Sequence, residues 1–236
     1  MHDGVGCFLT LTYGPDSLPS SGSYDVSDIV NFVKRLRKAL GERKIKTFGC
    51  AEYGPKGLRP HFHLLVFGFD FPDRTYWAKR GKHGSGNVAY RSKMLDELWG
   101  LGHAELGTIT PASASYVARY TQKKAMNNDL PEGLEPEKAV CVSRRPGIGA
   151  SWFDKYHGDI YEIDAVVVSG RKQGIPRYYD LRLQMKDPVA YAELKKRREA
   201  TRPLEEPNNS QDRMEVRKVV HQQQIKKLKR SFENED

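Results

Sequence analysis

Arg59-Pro60-His61-Phe62-His63-Leu64-Leu65-Val66-Phe67 is an apolar run broken by two histidines two residues apart. It reads as a buried strand, and because strand side chains alternate, His61 and His63 project from one face. Upstream, Lys46 to Tyr53 reads as a second strand. The connection Gly54-Pro55-Lys56-Gly57-Leu58-Arg59 has the glycine and proline content of a hairpin turn. A hairpin centred between Lys56 and Gly57 places Glu52 opposite His61 and Cys50 opposite His63. Cross-strand partners share a face, with Cβ atoms about 5 Å apart. Glu52, His61 and His63 therefore converge as two nitrogens and one oxygen. That donor set favours Mn²⁺ or Mg²⁺ and also accepts zinc, with Cys50 as a competing donor. The competing reading is a pair of hydrogen-bonded histidines at a strand end. His2, His83, His103, His157 and His221 have no comparable geometry and read as surface or loop residues.

A second constellation lies in Tyr116-Val117-Ala118-Arg119-Tyr120-Thr121-Gln122-Lys123-Lys124. Thr110 followed by Pro111 is a helix start, a capping hydroxyl and then proline at the first helical position. In that helix Tyr116 and Tyr120 share a face, roughly 6 Å apart. A phenol with a pKa near 10 is a poor nucleophile unless its phenolate is stabilised. Lys123 and Lys124, one turn beyond Tyr120, are placed to do this or to bind phosphate, and Arg119 is a further phosphate contact. The competing reading is packing, since tyrosines four apart commonly line an amphipathic face. Two imidazoles that hold a divalent ion, with two phenols that attack phosphorus, point to breaking and rejoining of a DNA strand.

Working outward, Cys7 to Tyr13 reads as a strand that begins almost at residue 1, so more sequence is expected upstream in the natural protein. Asp25 or Ser27 caps a helix with apolar residues Val26, Ile29, Val33, Leu36 and Leu40, ended by Gly41. Arg74 to Gly86 reads as a mobile basic loop, Arg91 to Trp99 as a helix, and Gly102 to Ile109 as a strand. Further strands are expected at Ala139 to Ser143, Ala165 to Val168 and Tyr178 to Gln184. From Pro188 the chain is strongly polar, with two basic helices around a linker at Pro203 to Ser210. The expected class is α+β: a central antiparallel sheet with flanking helices, plus a helical basic C-terminal tail. The expected division is residues 1–187 as one domain, its motif core at about 7–150, and 188–236 as an extension.

The 236 residues carry a formal charge of +9, which favours a polyanionic partner, nucleic acid being the commonest. Cys7, Cys50 and Cys141 form neither a zinc pattern nor a disulfide framework, so a reducing interior is expected. No stretch is long and apolar enough to span a bilayer and there is no signal peptide, so no membrane partner is expected and the cytoplasm is the default.

Three of these segments together resemble the HUH endonucleases, named for histidine-hydrophobe-histidine, which initiate rolling-circle replication. Phe8-Leu9-Thr10-Leu11-Thr12-Tyr13 is similar to the first motif, Arg59 to Leu64 to the second, and Tyr116 to Lys123 to the third, in the family's order. The double tyrosine resembles the replication initiators of microviruses, especially the gokushovirus-like branch. Ser143-Arg144-Arg145-Pro146-Gly147-Ile148-Gly149 is similar to a segment of those proteins. The resemblance covers residues 7 to 150 well and implies an RRM-like palm. It implies Mn²⁺ or Mg²⁺ on Glu52, His61 and His63, and Tyr116, Tyr120 and Lys123 as catalytic residues. Attack by one tyrosine leaves a 5′-phosphotyrosine and a free 3′-hydroxyl; the second tyrosine cleaves the regenerated site and a circle is closed. Tyr120, in the Tyr-x-x-Lys form of single-tyrosine relatives, is implied as the first nucleophile. Covalent storage of the bond needs no ATP, and the chain has no GxxxxGK[ST].

The implied partner is single-stranded DNA at a replication origin, with a host helicase or polymerase beside it, in the host bacterial cytoplasm, and no small-molecule substrate. Candidate DNA contacts are Lys79, Arg80, Lys82, Arg119, Lys124, Arg144 and Arg145, with Lys195 to Arg198 and Lys226 to Arg230 in the tail. Trp152, Phe153, Tyr156 and Tyr161 either stack on bases or pack in a core, and packing is favoured. Three readings compete: a plasmid- or transposon-type HUH nickase, a non-catalytic RRM-like nucleic-acid-binding module, and a His₂Glu zinc hydrolase that needs neither tyrosine.

Overall fold

The structure, a computed structural model, describes residues 4–54, 57–79, 88–123, 130–201 and 210–226, with the side chains of 120–123 and 225–226 outside the description. It comprises two compact units, His2–Ile148 and Gly149–Lys229.

The first unit is built on a seven-stranded sheet. Its strands are β1 (Gly6–Tyr13), β2 (Lys46–Tyr53), β3 (Pro60–Phe67), β4 (Thr75–Lys79), β5 (Val88–Arg91), β6 (Gly102–Thr108) and β7 (Lys138–Val140). They lie in the order β4-β5-β6-β1-β3-β2-β7 with every pairing antiparallel. This is the α+β, antiparallel class expected from the sequence.

Alternation on β1 and β3 sorts side chains by chemistry. Leu9, Leu11, Phe62, Leu64 and Val66 face a large core. That core is closed by α1 (Val26–Leu40), through Ile29, Phe32, Val33 and Leu36, and by α2 (Lys93–Trp99), through Leu95 and Trp99. Burying each such side chain contributes about 1.5–3 kcal/mol, enough to fix the register against a one-residue slip that would invert both faces. Asp25 caps α1 by accepting from the Ser27 amide, and Gly41 ends it at φ +58°. Ser92 caps α2. On the opposite sheet face lies α3 (Pro111–Lys123), which packs over β7, β2 and β3.

At the end of β1 the chain of β6 passes so close that only glycine fits. Gly102 has φ +148°, and a Cβ there would lie 2.1 Å from the Gly14 nitrogen and 2.4 Å from the Thr12 oxygen. Gly102→Ala is expected to destabilise the protein by about 3 kcal/mol or more, because backbone rather than a pliable side chain blocks the space. Urea unfolding of the variant against the parent measures this.

Two expectations fail. The basic, glycine-rich composition of Arg74 to Gly86 predicts a loop, but Thr75–Lys79 is a paired edge strand; an edge strand has no need of the apolar alternation that marks interior strands. The pattern of Tyr178 to Gln184 predicts a strand, but the segment lies in α5 (Arg177–Lys186) of the second unit. Tyr179 and Leu183, four apart, are buried there with Phe153, Ile160 and Leu194, so helical spacing prevails over the local alternation of Leu181 and Leu183.

The second unit also contains α4 (Ala150–Glu162), a two-stranded ribbon of β8 (Val166–Val168) and β9 (Arg171–Gln173), α6 (Pro188–Thr201) and α7 (Gln211–Lys226). Phe153 is fully buried, and Trp152 stacks on Tyr179 with ring centroids 5.6 Å apart. These aromatics pack among themselves. Arg198 ties α6 down by pairing with both Asp164 and Asp180, at 2.6 and 2.8 Å. The boundary drawn at 187/188 falls between α5 and α6, which share one core through Leu183 and Leu194. Among the described residues no helix is long and apolar enough to cross a membrane.

Candidate metal centre and its tyrosine

The β2–β3 hairpin closes with the Gly54 amide donating to the Arg59 carbonyl at 3.0 Å. Its register pairs Glu52 with His61 and Cys50 with His63, as the hairpin geometry predicts. Glu52, His61 and His63 each present a ligand atom, and these atoms lie within 4.8 Å of one another. Glu52 is fully buried and His63 is 2 % exposed. Cys50 stands opposite His63, but it packs with Phe8, Leu65, Tyr116 and Val117 and is not in the donor group.

The protonation geometry explains why such a polar cluster tolerates burial. His61 Nδ1 lies 3.1 Å from the Arg59 carbonyl oxygen, which only accepts, so Nδ1 carries the proton. In a neutral imidazole the Nε2 lone pair then points at Glu52 Oε1, 2.7 Å away. His63 Nε2 lies 2.5 Å from the same oxygen but makes no well-directed hydrogen bond among the described residues, and neither does the buried Glu52 Oε2. Lone pairs facing a carboxylate, with a second carboxylate oxygen unpartnered, form an arrangement that a cation satisfies; the residues fit a divalent metal.

The electrostatics agree. Burial opposes ionisation of Glu52, but the close approach of His63 and His61 outweighs it and holds the carboxyl well below the ordinary range. Burial pushes the His63 imidazole below its ordinary value, against the pull of Glu52, and so favours the neutral ring that serves as a ligand.

α3 brings the tyrosine. Thr110 Oγ1 accepts from the Ser113 amide at 3.1 Å and so caps the first turn. The helix then lays Tyr116 and Val117 against Phe8, Cys50 and Leu65. The Tyr116 hydroxyl donates to Glu52 Oε1 at 2.7 Å, and its ring meets the His63 ring edge-on, centroids 5.2 Å apart. Tyr116 is therefore both a packing residue and a neighbour of the donor group.

The remaining candidates are spread more widely. Tyr120 and Lys123 lie on in the same helix, with side chains outside the description; Arg119 is half-buried. Arg80, Lys82 and Lys124 lie outside the described residues. Lys79, at the end of β4, and Arg144 and Arg145 in the turn after β7 are exposed.

Two residues join the centre that the sequence motifs do not include. Thr10 Oγ1 lies 3.1 Å from His63 Nδ1, and the Phe8 ring stacks on the His63 ring at 5.2 Å and 11°. Both sit on β1, where Thr10 pairs with His63 and Phe8 with Leu65. The signal is present in the chain: Phe8, Thr10 and Thr12 occupy the alternate positions to the apolar Leu9 and Leu11.

Residues 6–125 match the family of replication-associated proteins typified by ORF2. The chain is 37% identical over 183 residues to the Replication-associated protein VP4 of Bdellovibrio phage phiMH2K, covering 73% of this chain and 56% of that protein. It is 32% identical to the Replication-associated protein ORF4 of Chlamydia phage 1, covering 72% and 44%. It is also 32% identical to the Replication-associated protein ORF2 of Spiroplasma virus 4, covering 75% and 57%. The chain thus spans about half the length of the curated relatives it matches. No solved structure matches significantly.

Proposed function

From the premise that this chain belongs to the ORF2-type family of replication-associated proteins, in company with phage replication proteins, we propose that it initiates and terminates rolling-circle DNA replication. Its chemistry is metal-dependent, sequence-specific nicking and rejoining of single-stranded DNA. The observation that carries this reading is the Tyr116 hydroxyl on Glu52 Oε1, beside two imidazoles that present ligand atoms to the same point. A binding module needs no phenol at a buried donor group, and a zinc hydrolase needs no tyrosine at all.

In the proposed reaction Glu52, His61 and His63 hold Mn²⁺ or Mg²⁺. The Arg59 carbonyl fixes the His61 ring and Thr10 orients the His63 ring. When bound, the ion polarises a phosphoryl oxygen and offsets the charge that develops in the displacement. The phenol oxygen of Tyr116 or Tyr120 forms a bond to phosphorus as the 3′-oxygen leaves, giving a 5′-phosphotyrosine and a free 3′-hydroxyl. Lys123 stabilises the phenolate. The other tyrosine repeats the cut on the regenerated site, and the released 3′-hydroxyl attacks the first phosphotyrosine to restore a phosphodiester. Arg119, Lys124, Arg144, Arg145, Lys79, Arg80 and Lys82 contribute phosphate contacts. The proposed functional division is an endonuclease region in residues 1–187 and a basic extension in 188–236 that meets DNA or a host helicase or polymerase. The proposed setting is the host cytoplasm.

Covalent trapping tests the reading. Labelled single-stranded DNA from the protein's own replicon, incubated with the protein and Mn²⁺, should give an adduct that survives denaturation and is absent with EDTA. DNA that binds without any adduct overturns it. Metal binding has a separate readout. Mn²⁺ at 100 times its dissociation constant is expected to stabilise the fold by about 2.7 kcal/mol, seen as a rise in Tm of several degrees that EDTA reverses.

A further inference from the structure

β4 is an outer strand of the sheet, yet its aromatic residues are left uncovered: Tyr76 is 67 % and Trp77 54 % exposed. Pairing with β5 shifts register between Tyr76 and Ala78, which makes Trp77 the extra residue of a bulge. A bulge at a sheet edge turns a side chain out of the regular pleat. The Arg91 guanidinium lies over the Trp77 ring, 4.7 Å from its centroid. A large ring held in water with a cation at its back is a surface ready for a second planar partner.

Strand pairing shows which side of the sheet this surface occupies. Thr75 pairs with Arg91, and Tyr90 with Leu106, which sets Arg91 across from Glu105. Glu105 pairs with Thr10, and Thr10 with His63. Paired residues share a face, so Arg91 and the ring it backs lie on the face that carries the donor group. Four inter-strand steps of roughly 4.8 Å put them about 19 Å from His63, a span that a few nucleotides cover. α3 packs over β7, β2 and β3, on the far side of the donor group from this strip.

The charge fits a polyanion. Residues 74–95 contain Arg74, Lys79, Arg80, Lys82, Arg91 and Lys93 and no Asp or Glu. The acids nearby are engaged within the protein: Asp70 pairs with Arg74, Asp73 accepts from the Ser92 hydroxyl, and Asp96 lies 4.0 Å from Arg91. Glu105, inside the strip, suits the amino groups of bases rather than phosphate.

We propose that Trp77, backed by Arg91, is a stacking platform for an unpaired base of single-stranded DNA, on the same sheet face as the donor group. The platform would hold the strand whose cleavage is proposed above, and to that extent the inference rests on that reading. The test needs neither metal nor origin. Binding of fluorescein-labelled dT20 is followed by anisotropy in EDTA, with Trp77→Ala and Trp77→Phe beside the parent, and melting curves verify that each variant is folded.

Trp77→Ala is expected to bind about tenfold more weakly, and Trp77→Phe, which keeps a stacking ring, within about threefold of the parent. Quenching of tryptophan emission by unlabelled dT20 is expected in the parent and lost in Trp77→Phe, since Trp99 is buried and Trp152 is already stacked on Tyr179. Parental affinity in Trp77→Ala overturns the platform, as does tighter binding of rU20 than of dT20. Adduct formation by the parent protein is scored separately. Its absence alongside a tenfold effect of Trp77→Ala removes the nicking reading and leaves the platform. Its presence alongside no effect does the reverse.

Discussion

The double variant Tyr116→Phe/Tyr120→Phe is expected to form no covalent adduct with DNA, a loss on the order of 10⁴-fold or more, while binding single-stranded DNA as the parent does. Removing a covalent nucleophile has effects of that size, because other groups of the site supply only a residual rate. The single variants should differ in kind. In Tyr116→Phe the ring still meets His63 edge-on, but Glu52 Oε1 loses the hydroxyl that donates to it at 2.7 Å. A lost hydrogen bond to a buried carboxylate costs about 1–3 kcal/mol, so Tyr116→Phe should lower Tm whichever phenol attacks first. Adduct formation in each single variant then ranks the two tyrosines. An adduct that persists in the double variant places the nucleophile elsewhere and overturns the mechanism.

The second large effect is expected from the donor group. Glu52→Gln keeps the shape of the side chain and an oxygen for the Tyr116 hydroxyl, but removes the charge that a divalent ion needs. Mn²⁺ binding measured by calorimetry should weaken by on the order of 100-fold or more, and adduct formation should fall at least as far. His61→Ala is the cleaner partner experiment. The His61 side chain is 12 % exposed against 2 % for His63, and His63 is wedged between the Phe8 and Tyr116 rings. Truncating His63 therefore opens a cavity and confounds metal loss with unfolding, whereas His61→Ala should lose Mn²⁺ binding and cleavage with little change in Tm. Cleavage at the parental rate by both Glu52→Gln and His61→Ala would show that these residues do not hold the ion.

Much of the centre is legible in the chain because its donors are set by local rules. One hairpin, with its turn marked by glycine and proline, fixes Glu52 against His61. Thr110 and Pro111 mark where α3 begins. What escapes a reading of the chain depends on distant pairing. Thr10 acquires its role only because β1 lies beside β3 in the sheet, an adjacency that no local pattern specifies. β4 escapes because an edge strand with one side in water tolerates Tyr76, Trp77 and Lys79 together. α5 resembles a strand because Leu181 and Leu183 alternate over a stretch too short to separate a period of two from one of 3.6.

The two halves of the centre come together over very different lengths of chain. Glu52 and His61 are 9 residues apart, whereas Glu52 and Tyr116 are 64 apart. Closing the longer loop costs about 2 kcal/mol more in chain entropy, and hairpins form before such distant contacts. The donor group therefore belongs to an early folding unit, and the phenol is delivered later, when α3 docks. A nascent or locally opened chain holds the ligands without the nucleophile, so it is disarmed until the helix is seated.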